Sequence, residues 1–364
     1  MHMDIFNDDA FSVVTMTTAL EDFEFKPNYI GSLNLFEDVP TATDMVTIER
    51  RGNTLSIIQT TERGAPLPEG QTDGRTIRGY RAPRIAKGHT LQASAIQGIR
   101  AFNTESDLET MIGYVGRYSA KLVGDVELTW ENMMLGAITG KVLDADGSTI
   151  VDWFAEWGIP VPDEIDFALD TVDTNIEEKC REVIEVMKRN SKGAWNNSTY
   201  IIGLCGKSFF NKLTMHKTIR ETYLSTAQAQ MLNRAMGLAN GSGFRSGTIA
   251  TFDHGGILFI RYQEADGFNF TADEATIKAA GKNGMGVQSK RCKFFPVNAP
   301  GVFQVAYAPA ETFDFVNTIG RPLYQMLIRD RDRNAWVRPE IYSYPLFICT
   351  RPEMLLRAKE SAGA

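Results

Sequence analysis

The chain has 364 residues, long enough for more than one core, because single cores stop growing at roughly 250–300 residues. Hydrophobic residues at 43% and charged residues at 23% are ordinary globular values, and a formal charge of −7 excludes a general nucleic-acid binder, whose footprint is a basic, counterion-releasing surface. No stretch of about 18 apolar residues and no Lys/Arg-led apolar leader marks a membrane or exported protein, and Cys180, Cys205, Cys292 and Cys349 stand too far apart for a CxxC pair and read as reduced, buried cytosolic thiols.

Residues 1–40 are polar and acidic with scattered aromatics and no long period, so the segment is expected to lie extended across another surface. Its first 25 residues carry Asp4, Asp8, Asp9, Glu21, Asp22 and Glu24 and no cation. From Met45, MVTIERRGNTLSIIQTTERG reads as two short strands around a turn at Arg51–Asn53. Gly64–Gly88 is rich in Gly, Pro and Arg and reads as a long excursion or open hairpin supported from outside itself. Between positions 75 and 100 stand Arg75, Arg78, Arg81, Arg84, Lys87 and Arg100 and no acid. Thr104 is placed to cap a helix with Glu105 and Asp107 in its first turn. Apolar residues from Leu108 to Ala137 then recur at helical spacing, about 30 residues and about 45 Å, the length of a spine.

Asp146-Gly147 marks a hairpin turn within Gly140–Trp153. The aspartates resemble a calcium loop, but the glycine falls at the wrong position and the closing bidentate Glu is missing. Pro160 and Pro162 mark a domain boundary. Thr174 with Glu177 forms an expected capping box for a helix whose face is Ile176, Cys180, Val183, Ile184 and Met187. Strands are expected at Thr199–Cys205, Gly255–Gln263, from Cys292 to Val297 and toward Pro309, with one helix over Gly206–Leu224. A closing strand, Ile341–Thr350, contains Pro345 and therefore belongs at an edge or bulge. Strands and helices do not alternate regularly, so the class is α+β with an antiparallel or mixed sheet. Val142–Glu178 holds eleven carboxylates and no cation. Charge runs of this kind are ordinarily solvated faces, but complementary runs also suit the two halves of an interface between copies.

Catalytic chemistry finds little to stand on. His2, His89, His216 and His254 form neither HExxH nor a finger-type pair with cysteine. Asp253-His254-Gly255 puts an acid beside an imidazole, yet adjacent residues of an extended chain point apart, no GxSxG turn accompanies them, and a turn is the better reading. Asn240–Gly247 is glycine-rich without the GK[ST] ending of a nucleotide loop, and Gly206-Lys207-Ser208 lacks the glycine loop before it. No catalytic, cofactor or metal site is assigned, and the chain is not expected to be an enzyme.

Several stretches, in order along nearly the whole chain, carry a resemblance. They are LEDFEFKPNYIGSLNLFEDVPTATDMVTIE at 20–49, TTERGAPLPEG at 60–70, HGGILFIRYQ at 254–263, APAETFDFVNTIGRPLYQ at 308–325 and PLFICTRPEMLL at 345–356. A basic RDRDR segment, Arg329–Arg333, lies between the last two. Together they resemble the lambda-like tailed-phage major capsid proteins, the capsid protein E family, whose fold is HK97-like.

The resemblance implies an N-arm at 1–44 and a first P-domain part at 45–164, with an E-loop at about 53–90, a spine helix at about 103–137 and the hairpin at 140–153. An A-domain at 165–310 and a closing P-domain segment at 311–364 follow. It also implies a homo-oligomer of hexamers and pentamers closing an icosahedral or prolate shell around the double-stranded DNA of a phage or prophage, without sequence-specific binding, cofactor or membrane. An acidic container suits DNA held but not gripped. A scaffold or protease, a portal and a decoration protein are the implied partners, and the virion head, assembled in host cytoplasm, is the implied location. An encapsulin-like nanocompartment of the same fold is the alternative. Arg75, Arg78, Arg81, Arg84 and Lys87, facing Asp8, Asp9, Glu21 and Asp22 of a neighbour, are the candidate interface residues.

Overall fold

The computed structural model describes residues 28–51, 75–96, 111–225, 250–262, 287–333 and 335–361. The chain enters as a short helix α1 (Tyr29–Ser32) and a two-residue strand β1 (Glu37–Asp38). Strand β2 (Met45–Arg51) then pairs antiparallel with β3 (Arg75–Arg81) at all seven positions, Met45 opposite Arg81 and Arg51 opposite Arg75. The expected turn after Arg51 and its return strand lie outside the described residues; the described partner of β2 is β3. Strands β4 (Ile85–Gly88) and β5 (Leu91–Gln92) and a short helix α2 (Ala93–Ile96) follow.

Helix α3 (Met111–Thr139) has 29 residues, about 43 Å at 1.5 Å each. The expected cap at Thr104 lies outside the described residues. Gly113, Gly116, Gly124 and Gly136 leave α3 unbroken from 111 to 139. One of them has a packing reason: a Cβ at Gly136 would sit 2.6 Å from the Lys141 carbonyl oxygen and 2.8 Å from the Val142 Cα, so only glycine lets the next hairpin lie against the helix. That hairpin is β6 (Lys141–Leu143) and β7 (Thr149–Asp152), turning through Gly147 at φ +82° as Asp146-Gly147 predicts. The Asp146 carboxylate accepts from the Ser148 N–H, a turn contact. Asp152 then caps α4 (Trp153–Trp157).

Strand β8 (Ile165–Asp166), helix α5 (Ile176–Asn190), strand β9 (Tyr200–Cys205), helices α6 (Lys207–Met215) and α7 (Lys217–Ser225) and strands β10 (Ala250–His254), β11 (Ile257–Arg261) and β12 (Arg291–Val297) continue the chain. It closes with β13 (Phe303–Tyr307), β14 (Tyr324–Arg329), β15 (Trp336–Ser343), β16 (Pro345–Cys349) and β17 (Leu356–Lys359). A mixed six-stranded sheet runs β10-β11-β9-β12-β17-β8; β1-β13-β16 and β14-β15-β4 form two smaller sheets, and β5 also pairs with β15.

Three local expectations are corrected. The α5 cap is Asn175, whose side chain accepts from the Glu178 N–H, while the Thr174 hydroxyl donates to the Ala168 carbonyl instead. The single helix expected over Gly206–Leu224 is two, because His216 takes extended backbone and buries its ring. Its Nδ1 lies 2.7 Å from the Thr218 hydroxyl and its Nε2 2.9 Å from the Thr171 carbonyl, a local partner set that competes with continued helix. The closing strand is also two: β15 ends at Ser343, the Tyr344 carbonyl accepts from Ala308 N–H, and Pro345 opens β16 at the edge of another sheet.

The main core lies about β9, β11 and β12, where Ile202, Leu204, Phe259, Phe294 and Phe295 are fully buried. Cys180, Val183 and Met187 of α5 and Phe209 and Leu213 of α6 bury their helix faces in the same core. All four cysteines are free and buried. Helix α3 spans two cores: Met133, Leu135, Ala137 and Ile138 belong to the main one, whereas Leu122 and Val126 pack with Ile341 of β15.

Candidate assembly interface

One face of the β2–β3 ribbon is keyed to the body. Val46 and Ile48 are buried, and opposite them on that face stand Tyr80 and Arg78. The Tyr80 ring meets Trp153 edge-on at 5.5 Å, and its hydroxyl donates to Glu156 at 3.0 Å. Burial, with Glu156 beside it, raises the Tyr80 pKa and keeps the phenol a donor. The other face carries Met45 and Arg81, both exposed. The two strands bracket residues 52–74, which lie outside the described residues.

The basic run lies along this ribbon and just past it, and the structure gives four of its cations acidic partners in the same chain. Arg78 meets Glu156 of α4 at 3.1 Å, Arg81 meets Asp44 at 3.6 Å, Arg84 meets Glu311 at 2.6 Å, and Lys87 meets Asp125 of α3 at 2.6 Å. The Arg84 guanidinium also covers the Tyr342 ring at 5.3 Å. Arg75 sits at the start of β3 opposite Arg51. Asp8, Asp9, Glu21 and Asp22 lie outside the described residues.

A second surface escaped the sequence reading. After β13 the chain forms a loop, Glu311–Gly320, containing a short 3-10 turn, Phe313–Phe315, and on it Phe313 is 101% exposed, Ile319 68% and Val316 54%. The loop is nonetheless held from behind. Phe315 packs on Tyr324 at 4.7 Å, the Gly320 N–H donates to the Thr41 carbonyl at 2.8 Å, and a Cβ on Gly320 would strike the Tyr307 carbonyl at 2.0 Å. Exposed apolar side chains on a held loop make this a candidate interaction surface. The signal was present in the spacing of Phe313, Val316 and Ile319, three residues apart among the turn formers Asp314, Asn317 and Gly320.

The enzyme-like residues stay apart. His216 is a buried helix-breaking contact, and His254 ends β10 stacked on Phe252, its pKa lowered chiefly by burial. Gly255 and Gly256, both at positive φ, make the turn expected at Asp253–Gly255. Among the described residues no group of His, Cys, Asp and Glu could hold a metal ion, and no helix is long and apolar enough to cross a membrane.

Residues 12–360 match the family model described as phage major capsid protein E. The chain belongs to the phage major capsid protein E family. This capsid chain is 25% identical over 362 residues to the major capsid protein of Salmonella phage Felix O1 (isolate Felix O1-VT1), covering 97% of each chain. It is 28% identical over 309 residues to that of Pseudomonas phage KPP10, covering 82% of this chain and 83% of the relative. Its fold is similar to the crystal structure of a putative capsid protein of an E. coli CFT073 prophage, with TM-score 0.51 and 15% identity over 97% of both chains. A cyanophage P-SCSP1u capsid structure gives TM-score 0.50 at 10% identity, covering 94% of this chain and 90% of that one. The capsid chain is therefore an α+β protein resembling the HK97-like phage capsid structures. Its function is structural: it self-assembles into the shell around the genome of a tailed double-stranded DNA phage, is built into the virion head after assembly in the host cytoplasm, and is not an enzyme. The family match favours this shell over the nanocompartment alternative.

Proposed function

We propose that the chain divides its shell-building work as the resemblance implies. Residues 1–44 act as an N-arm. Residues 45–164 open the P-domain and include an E-loop at about 53–90 and a spine helix that the described residues follow from Met111 to Thr139. An A-domain occupies 165–310 and a closing P-domain segment 311–364. Hexamers and pentamers of the chain close the shell, with a scaffold or protease, a portal and a decoration protein as partners, and the enclosed DNA is not read by sequence.

The single observation that carries this reading is the anchoring of one face of the β2–β3 ribbon. Val46, Ile48 and Tyr80 fix its base to the body, which supports a role for the segment it brackets, 52–74, in contact with a second copy. The run Arg75, Arg78, Arg81, Arg84 and Lys87 is then placed to meet Asp8, Asp9, Glu21 and Asp22 of a neighbour. Exposed ion pairs are each worth only about 0–1 kcal/mol, so exchanging an internal carboxylate for a neighbour's costs little.

Replacing Arg78, Arg81 and Arg84 together by Glu is expected to abolish or slow shell formation, seen by negative-stain microscopy and sedimentation velocity, while the helicity of the unassembled chain is unchanged. Unchanged assembly overturns the claim. A swap separates the two roles of Arg84: Arg84→Glu with Glu311→Arg restores the internal pair at reversed sign. Assembly that stays lost in the swap supports contact with a neighbour; assembly restored by it assigns Arg84 to its own chain.

A further inference from the structure

Glu131 lies in the carboxy-terminal half of α3 and is fully buried, with 0% of its surface exposed. No cation pairs with it among the described ion pairs. Its carboxylate is met by three hydrogen-bond donors from two distant parts of the chain. The Ile30 N–H donates to Oε1 at 2.9 Å and the Gly31 N–H to Oε2 at 3.0 Å. Both amides belong to the first turn of α1, where backbone N–H groups have no partner within the helix. The third donor is the Tyr262 hydroxyl, just past the end of β11, at 3.2 Å from Oε1. Burial and the neighbouring Glu131 push the Tyr262 pKa far up, so the phenol stays a donor. Ile30, fully buried itself, seats α1 in the main core beside this site.

A buried carboxylate without a cation is tolerated only while its donors are in place, because a desolvated anion with lone pairs unmet is costly. The strap 28–33, helix α3 and the end of β11 are therefore not three independent contacts. Lifting the strap strips two of the three donors from this carboxylate.

We propose that Glu131 is a latch that ties the docked amino-terminal strap to the long helix and to the end of β11. Tyr262 acts as a positioning residue: by holding Oε1 it orients the carboxylate for the Ile30 amide.

Amide hydrogen exchange on the full-length chain tests this. Glu131→Gln keeps the shape but turns one oxygen into an NH2 that faces donors. Exchange at Ile30 and Gly31 is expected to rise at least about tenfold, with amides of 126–138 and of β9 and β12 unchanged. Tyr262→Phe, which leaves both strap-to-Glu131 hydrogen bonds in place, is expected to raise exchange at Ile30 by a smaller factor. Glu131→Asp, which keeps the charge but withdraws it by one methylene, serves where Glu131→Gln does not fold and is expected to give the same selective loss. Unchanged protection at Ile30 and Gly31 in a folded Glu131 variant overturns the latch, as does equal loss of protection throughout the chain in both variants. An effect of Glu131→Gln that Tyr262→Phe does not share in any degree overturns the coupling to β11.

Discussion

The lobe around β9, β11 and β12 and the edge formed by the β2–β3 ribbon with the Glu311–Gly320 loop solve the same problem differently. In the lobe, Phe259, Phe294 and Phe295 have no exposed surface. At the edge, Phe313 is as exposed as a free side chain, Met45 is 53% exposed, and the cations sit in open ion pairs. One region buries its apolar side chains within the chain; the other anchors Val46, Ile48, Tyr80 and Phe315 but leaves Met45, Phe313, Val316 and Ile319 exposed. The contrast makes the first region the candidate determinant of folding and the second that of assembly.

The most severe way to break the comparison is Phe294→Ala. Phe294 lies between Phe167 at 5.8 Å and Phe259 at 6.1 Å, and its truncation is expected to cost about 3–5 kcal/mol through lost burial and the cavity left behind. Denaturant unfolding of the unassembled chain measures it. A loss below about 1 kcal/mol would mean that this lobe does not stand on its own core.

Lys293, the next residue on β12, sharpens the comparison because it is the charge this lobe holds at a cost. It lies on the opposite face of the sheet, half-buried, with Arg357 directly across on β17. Burial first, and then Arg357 and Arg291, lower its pKa from 10.5 to about 8, with Glu164 opposing. The unfolded chain therefore binds more protons between those two values, and stability rises with pH through that window. Below pH 8 the full cost of the buried ammonium is present. Lys293→Met is expected to raise the unfolding midpoint at pH 7 and to lose that advantage as pH climbs toward 10.5. An advantage independent of pH would assign the gain to packing alone.

Legibility from sequence follows the same division. Elements set by local chemistry were readable: the turn at Asp146-Gly147, the amphipathic face of α5, the strand Tyr200–Cys205 and most of α3. Features decided by distant contacts were not. The break at His216 depends on the Thr171 carbonyl, 45 residues away, and the split at Tyr344 depends on Ala308. The basic run was visible as charge, but its partners Glu156, Glu311 and Asp125 come from three separate elements that no local pattern links. Glu131 was invisible for a related reason: one acid on a helix face looks solvated until α1 and Tyr262 are folded over it.

The mildest change for folding is the most telling for the comparison. Phe313→Ser with Ile319→Ser removes apolar surface that touches little within the subunit, so folding stability is expected to shift by no more than about 0.5 kcal/mol. The backing contacts of Phe315 with Tyr324 and of Gly320 with Thr41 are untouched, so the loop keeps its shape. If a second copy covers these side chains, shell yield falls and the concentration needed for assembly rises, because each lost contact is repeated at every equivalent interface. The measurement is sedimentation velocity across a concentration series, with the unfolding midpoint taken on the same samples. Shells that form at the parental concentration would place the loop outside the contacts between copies. A drop in the midpoint matching the loss of shells would instead make it part of the core, and the division between the two regions would fail at this loop.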